Sequence, residues 1–299
     1  MNQSGSDWNH RHVEANGIRI HYVRHGEGPP LVLLHGWPEF WYVYRENIGP
    51  LAEGFDVVAP DLRGFGGTEK PGTPDPPEAL REHMVGDLEA LADALGLERF
   101  GIVSHDVGSY VAQAFARKHP ERVSGLFFFN CVYPGIGKRW LEPESVKEIW
   151  YQTFNQQPWA ADLVGRDREA CRLYIGHFLD HWAHESGLFA GDLESWVDNF
   201  MQPGNLQGGF DWYLASGVAR MQMMRHGAPE MPKIERLETP ARFLWGESDP
   251  VLRSEWADRL GEYFADYSLK IVPEAGHFVH YEKPDLANRE IRAFFGSSE

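Results

Sequence analysis

The sequence predicts an α/β protein, in which a mostly parallel sheet carries helices on both faces and is interrupted by a helical insertion. Short apolar runs alternate with stretches of helical periodicity up to residue 134. Such runs are missing from residues 135–232, which are rich in Trp, Tyr, Gln and Met, and they return afterwards. We therefore predict a core of residues 1–134 and 233–299 with a helical cap at residues 135–232.

The first half of the core begins with a hairpin, because two strand-like runs flank Asn16-Gly17, a strong turn dipeptide. The runs PPLVLLHG and FDVVAPDLRG predict buried strands, with a helix over residues 41–53 between them. A helix over EALREHMVGDLEALADALGL follows. The strand RFGIVSHD, a helix that ends at Pro120 and the strand VSGLFFFNCV complete this half.

The second half of the core begins at PARFLWGESDP, where a buried strand returns. We predict a helix after it, then a strand in YSLKIVPEAGH and a final helix over PDLANREIRAFF. The cap follows the C-terminal end of a strand, where open α/β sheets build their sites. The cap is therefore placed to act as a lid.

Composition excludes several classes of partner. The 299 residues carry a formal net charge of -16, which argues against nucleic acid and anionic membranes as partners. The two cysteines make no disulfide framework, and the polar N-terminus lacks a signal-peptide core. We expect a cytoplasmic monomer or homodimer. Aromatic residues make up 13% of the chain, which suggests an apolar cavity beneath the cap.

A carboxylate stands at a sharp turn between a strand and a helix, in the sequence Ser104-His105-Asp106-Val107-Gly108. Such a turn exposes the residue at its tip and aims the first N–H groups of the helix at it. By itself, Asp106 could be only a helix N-cap. As a nucleophile, a carboxylate suits saturated carbon, because the alkyl ester that it forms can be hydrolysed. The turn therefore favours epoxides or carbon–halogen bonds as electrophiles.

Five motifs, in order, resemble those of the α/β-hydrolase fold family: HGWP, PDLRGFGGTEKP, SHDVG, WGESDPVL and EAGHFVHYEKP. The resemblance implies the α/β-hydrolase fold, with Asp106 as nucleophile, Asp249 as triad acid and His277 as general base. It also implies an oxyanion hole made by the backbone N–H groups of Trp37 and Val107. These motifs span nearly the whole chain except the cap.

Two cap segments, YQTFNQQP and GGFDWYLAS, resemble those of soluble epoxide hydrolases. The resemblance implies that Tyr151 and Tyr213 contact and protonate the epoxide oxygen. A phenol, with an ordinary pKa of about 10, is protonated at neutral pH and can donate to a forming alkoxide. Each tyrosine alone could be an ordinary core residue. Their occurrence in two matching segments favours the catalytic interpretation.

Dehalogenases of the same fold are the main alternative. Haloalkane dehalogenases usually carry Trp directly after the nucleophile, where this chain has Val107, and many carry Asn where it has Trp37. Fluoroacetate dehalogenases carry arginines where this chain has Val107 and Tyr110. We therefore predict conversion of a small apolar epoxide and water to a vicinal diol, without metal or cofactor. A dehalogenase and a non-catalytic ligand-binding protein remain the alternatives.

The remaining assignments concern residues around this predicted site. We predict that Trp41 lines the pocket wall and that His105 contacts the substrate, with a purely structural role as the alternative for each. Glu247 is an alternative triad acid. His35 and Asp61 are expected to shape loops.

Overall fold

The computed structural model describes residues 8–226 and 234–296, and it confirms the predicted α/β architecture. The described residues form one eight-stranded sheet with the order β1-β2-β4-β3-β5-β6-β7-β8. The strands are β1 (His10–Ala15), β2 (Ile18–His25), β3 (Pro30–Leu34), β4 (Asp56–Pro60), β5 (Phe100–Asp106), β6 (Val123–Cys131), β7 (Ala241–Gly246) and β8 (Tyr267–Val272).

The sheet is parallel from β4 onwards. The hairpin β1–β2 is antiparallel and joins β4 in antiparallel pairing, whereas β3 pairs in parallel with β4 and β5, and β5 through β8 follow in parallel. Parallel strands end at the same edge of a sheet, so the loops after β3, β5, β6, β7 and β8 meet there. This edge holds the candidate site.

Helices cover the sheet and form the cap. They are α1 (Arg45–Leu51), α2 (Ala79–Ala94), α3 (Val107–Lys118), α4 (Pro143–Glu148), α5 (Trp150–Phe154), α6 (Ala160–Val164), α7 (Arg168–Trp182), α8 (Leu193–Phe200), α9 (Asn205–His226), α10 (Val279–Glu282) and α11 (Pro284–Phe295). Successive residues of β4 are all buried. Because neighbouring side chains of a strand point to opposite faces, both faces of the sheet are covered there.

The helices α4 to α9 lie between β6 and β7, in the part of the chain predicted to be the cap. The division of the chain at residues 134 and 232 stays a prediction, and residue 232 lies outside the described residues. The cap meets the core closely: a Cβ added to Gly208 of α9 would lie 2.0 Å from the backbone oxygen of Gly64. Across the described segments, every helix is too short or too polar to cross a bilayer.

Two predicted helices take a tighter form. Residues Trp41–Tyr44 form a 3-10 turn before α1, and Ser254–Glu262 is a 3-10 helix. In the second case the carbonyl oxygen of Trp256 accepts the Tyr133 hydroxyl at 2.5 Å and an Arg139 N–H at 3.3 Å. These side-chain donors occupy a carbonyl that an α-helix would use for its own i to i+4 bond.

Candidate active site

The site is built around a strained turn at the end of β5. Asp106 has φ 44° and ψ -112°, and α3 begins at the next residue, Val107. A non-glycine residue with positive φ is strained, and such strain concentrates at functional sites. The turn also requires a glycine at position 108, because a Cβ there would lie 2.4 Å from the backbone oxygen of Leu34. The sequence therefore forces the carboxylate of Asp106 out at the sheet edge.

The loop after β3 approaches the Asp106 carboxylate from the other side. The backbone N–H of Trp37 donates to Asp106 Oδ1 at 3.0 Å. This approach depends on Gly36, where an added Cβ would lie 2.5 Å from the Asp106 Cβ. A backbone donor at this position can stabilise an oxyanion that forms on the Asp106 carboxyl group. The role of the Val107 N–H as the second donor stays a prediction.

A histidine–carboxylate pair lies at the ends of β7 and β8. His277 Nδ1 donates to Asp249 Oδ2 at 2.7 Å, and both side chains are buried. Asp249 Oδ1 accepts the backbone N–H groups of Val251 at 2.8 Å and Leu252 at 2.9 Å. These bonds orient the carboxylate, which in turn orients the imidazole. Within the described segments the Nε2 of His277 is buried with no hydrogen-bond partner, so it can act on a water or a substrate.

Asn130, at the end of β6, supports this pair and was not predicted. Its Nδ2 donates to Asp249 Oδ2 at 2.5 Å, and its Oδ1 accepts the Gly246 N–H at 3.2 Å. Asn130 also has a positive φ of 38°. An Asn that interrupts the apolar run FFFNCV at a strand end was the available signal. Glu247, the alternative acid, is exposed, whereas Asp249 is bonded to the imidazole.

The imidazole of His277 is more basic than usual. Burial disfavours its charged form, but the carboxylates of Asp249, Asp106 and Glu39 outweigh burial and raise the pKa of His277 to about 9. His277 is therefore protonated at neutral pH, beside the Asp106 side chain. Loss of the charge on Asp106 would lower the pKa of His277 and release a base.

A buried polar cluster lies directly beneath the imidazole. His105 Nδ1 lies 2.9 Å from Glu39 Oε2, which also accepts the Gly36 N–H at 2.6 Å. The His105 ring is 4.5 Å from that of His277 and 4.8 Å from that of His280. His105 is buried in this cluster and bonded to Glu39, which favours a supporting position, and its contact with the substrate stays a prediction.

The same cluster is the place where the described residues could hold an ion, since ligand atoms of Glu39, His105 and His280 all lie within 4.8 Å of one another. Although burial opposes its charge, His105 and His280 hold the pKa of Glu39 well below its usual range. Burial lowers the pKa of His280 to about 4. The Glu39 oxygen already bonded to His105 and Gly36 favours a hydrogen-bonded network here.

Two tyrosines of the predicted cap pack against the core residue Trp37 at the site. Tyr151 of α5 stacks on Trp37 with ring centres 5.2 Å apart and an angle of 5° between the planes. Tyr213 of α9 meets Trp37 edge-on at 5.4 Å and Tyr151 edge-on at 5.4 Å. Trp182 of α7 lies 5.2 Å from Tyr151 and 5.1 Å from His277. These rings form an aromatic box over Asp106.

The hydroxyl groups of both tyrosines are protonated at neutral pH. Burial, followed by the charge of Asp106, raises the pKa of Tyr151 far above its ordinary value. Burial, Tyr151 and Asp106 raise the pKa of Tyr213 in the same way. Each phenol can therefore donate a hydrogen bond to an oxygen held near the Asp106 carboxylate. Their roles as proton donors stay predictions.

The structure gives Trp41 a different position from the one predicted. Its ring packs against Trp8 at 5.6 Å, His10 at 5.1 Å and His21 at 6.5 Å, on the side of the β1–β2 hairpin. Its backbone N–H donates to Asp61 Oδ1 at 2.8 Å. These contacts differ from those of the aromatic box over Asp106, so the pocket-wall assignment is corrected to a packing role.

This chain is similar to proteins of known fold and activity. A family model described as the alpha/beta hydrolase fold matches residues 29–284. The chain is 33% identical to the soluble epoxide hydrolase of Corynebacterium sp. (strain C12) over 96% of each chain. It is 30% identical to human epoxide hydrolase 4, over 94% of this chain and 77% of that protein.

Solved structures agree with these relatives. The structure of the epoxide hydrolase CorEH without ligand matches with a TM-score of 0.82 and 30% identity, over 98% of this chain and 100% of that chain. The structure of a Bacillus megaterium epoxide hydrolase in complex with an inhibitor matches with a TM-score of 0.82 and 26% identity, over 96% and 100%. The similarity therefore covers core and cap together.

Proposed function

Since the chain belongs to the α/β-hydrolase fold family and is related to its epoxide hydrolases, we propose that it converts an epoxide and water to a vicinal diol. One observation carries the proposal: the strained turn presents a carboxylate, Asp106, which faces two protonated phenols in the cap, Tyr151 and Tyr213. A carboxylate attacks saturated carbon, and a phenol protonates an oxygen leaving group.

The first half-reaction forms a covalent ester. The epoxide oxygen lies between the hydroxyls of Tyr151 and Tyr213 while an Asp106 oxygen attacks one ring carbon from behind. The carbon–oxygen bond breaks, the oxygen takes a proton from a tyrosine, and Asp106 becomes a hydroxyalkyl ester. Serine at the same turn would form an ether, which water does not cleave on a useful timescale.

The second half-reaction hydrolyses the ester. Alkylation removes the negative charge of Asp106, which is one of the charges that raise the pKa of His277. The pKa of His277 then falls and its imidazolium gives up a proton to solvent, so that the neutral imidazole, oriented by Asp249, can accept a proton from water. Water attacks the carbonyl carbon of Asp106, and the N–H of Trp37 stabilises the oxyanion. The diol leaves and the carboxylate returns.

The surroundings restrict the substrate. Aromatic rings from core and cap pack over Asp106, so we propose a small apolar epoxide. Each step above uses side chains of this protein and water. Both cysteines are free and buried, which fits the cytoplasmic location that we propose.

Dehalogenation is a second candidate with one observation in its favour. The indole N–H groups of Trp37 and Trp182 are buried and have no hydrogen-bond partner in the described segments. A departing halide needs only such weak donors and no proton. Hydrolysis of a haloalkane through the same ester at Asp106 would therefore survive replacement of both cap tyrosines by Phe.

A product assay separates the two candidates. Purified protein is incubated with a panel of small epoxides, haloalkanes and haloacids, and diol and halide are measured. We expect diol without halide, loss of activity in Asp106→Ala, and at least a hundredfold loss in the variant carrying both Tyr151→Phe and Tyr213→Phe. Halide release that survives the double tyrosine replacement, without diol from any epoxide, would contradict the proposal.

A further inference from the structure

We propose that Arg220 and Gln152 are positioning residues that select Tyr151, rather than Tyr213, as the group that protonates the epoxide oxygen. The inference rests on the proposed epoxide hydrolysis and deepens it, since the two tyrosines are otherwise equivalent candidates. The geometry that carries it is a pair of successive side-chain contacts in the cap, from a half-buried arginine through one amide to one phenol.

The first of these two contacts is made by Arg220 on α9. Its Nη1 donates to Gln152 Oε1, and its guanidinium carbon lies 5.7 Å from the ring centre of Trp140. Arg220 is half-buried, and among residues 8–226 and 234–296 its Nε is buried without a hydrogen-bond partner. Burial disfavours its charge, and the groups that favour that charge are Tyr151 and Tyr213 rather than a carboxylate.

The guanidinium dictates which way the Gln152 amide faces. Arginine has donors and no acceptor, so only the amide oxygen of Gln152 can face it. The amide nitrogen must then point the other way, where Gln152 Nε2 donates to the Tyr151 hydroxyl oxygen at 3.1 Å. The orientation follows from the chemistry of the partner, and an amide flip would place two donors against each other.

That contact in turn aims the proton of Tyr151. Its hydroxyl oxygen accepts from Gln152, so its single proton must point elsewhere. Because the Gln152 donor already occupies one side of the Tyr151 oxygen, the O–H of Tyr151 is left to face the substrate oxygen.

The causes of the pKa shifts of the two tyrosines also favour Tyr151 as the proton donor. Burial and Asp106 raise the pKa of Tyr151, but the bond from Gln152 and the charge of Arg220 act to lower it. For Tyr213, burial and the neighbouring Tyr151, Asp106 and Tyr174 all raise the pKa. Tyr151 is thus the phenol whose anion is stabilised when the proton leaves.

The step balances in protons. As Asp106 attacks, the ring oxygen keeps the electron pair of the broken bond and takes the Tyr151 proton, which leaves a tyrosinate. Gln152 donates to that anion, and the charge of Arg220 stabilises it. When alkylation lowers the pKa of His277, its proton passes through solvent to the Tyr151 phenolate. The neutral imidazole then accepts a proton from the attacking water, which restores the imidazolium, and the net reaction adds one water to one epoxide.

Gln152→Glu tests whether the amide of Gln152 acts as a hydrogen-bond donor to Tyr151. The carboxylate keeps the size of the side chain and its contact with Arg220, but it can only accept, so it turns the Tyr151 O–H away from the substrate. We expect Asp106 alkylation, followed by rapid quench, to slow by about a hundredfold at neutral pH. Gln157→Glu is the matched control, because that amide donates to the backbone oxygen of Thr153 and should leave the rate unchanged.

A double-mutant comparison separates this role from general damage to the cap. In a Tyr213→Phe background, Gln152→Glu should keep its full effect, whereas in a Tyr151→Phe background it should have none. Arg220→Lys should retain more of the alkylation rate than Arg220→Met. Equal losses from Gln152→Glu in both tyrosine backgrounds would overturn the inference and leave the epoxide hydrolase proposal intact.

Binding gives a readout that needs no turnover. A small primary amide, isobutyramide, offers a carbonyl oxygen to the same hydroxyls, and its affinity is followed by tryptophan fluorescence. We expect Gln152→Glu to weaken binding about tenfold and Gln157→Glu to leave it unchanged. Unchanged affinity in Gln152→Glu would overturn the proposed role of Arg220 and Gln152 in positioning Tyr151. Wild-type protein that yields no diol from any epoxide would instead overturn the proposed function.

Discussion

The raised pKa of His277 makes stability depend on pH in a direction that can be measured. The group binds its proton more tightly in the folded protein, with a pKa of about 9, than in the unfolded chain, with a pKa of about 6.5. The stabilisation is therefore fully present below pH 6.5 and is lost as pH rises through 9. At 1.36 kcal/mol per pKa unit, the whole effect is about 3 kcal/mol.

Chemical denaturation of wild type and His277→Gln, followed by circular dichroism between pH 6 and pH 10, measures this effect. The free energy of unfolding of wild type should fall by about 3 kcal/mol more than that of His277→Gln over this range. His83→Gln, which replaces an exposed histidine, is the control and should follow wild type.

Asp106→Asn refines the same experiment, because it removes one of the charges that raise the pKa of His277 and keeps the size of the side chain. We expect this variant to lose less stability than wild type over the same range. If the free energy of unfolding depends on pH in the same way for wild type and His277→Gln, the electrostatic account is refuted. The idea that alkylation of Asp106 releases the base is then refuted with it.

Three further predictions concern the supports of the site. Asn130→Ala removes a donor to Asp249 Oδ2, so ester hydrolysis should slow about 10- to 100-fold in single-turnover assays while alkylation persists; equal slowing of both steps would contradict this. Gly36→Ala places a Cβ 2.5 Å from the Cβ of Asp106, so the alkylation rate should fall about a hundredfold, and a wild-type rate would show that the loop shifts freely. Gly208→Ala places a Cβ 2.0 Å from a core backbone oxygen, so limited proteolysis should cut the cap faster, and an unchanged digestion pattern would refute close cap docking.

The sequence predicted the elements that rest on local pattern. Apolar runs and helical periodicity account for the strands and most helices of the core, and parallel strands bring Asp106, Asp249 and His277 to one sheet edge. The positions of these three residues follow from the strand ends, whereas their catalytic roles remain for experiment. Trp41 was misassigned because its ring turns towards the β1–β2 hairpin, a direction that sequence does not encode locally.

The contacts that sequence reasoning missed join distant parts of the chain. Asn130 reaches Asp249 across 119 positions, and Arg220 reaches Gln152 across 68. Glu39 meets His105 across 66 positions. No periodicity links such residues, since their meeting depends on strand order and on how the cap settles over the core. Polar residues inside apolar segments are the signal that such partners exist.

Single turnover in heavy-oxygen water tests the central claim, covalent catalysis by Asp106, most directly. The protein in excess is allowed one turnover of an epoxide in water enriched in oxygen-18, and both the diol and the peptide that contains Asp106 are examined by mass spectrometry. Since water attacks the carbonyl carbon of the ester, label should enter the Asp106 carboxylate and be absent from the first diol formed. Label in that diol, with none in Asp106, would contradict the account.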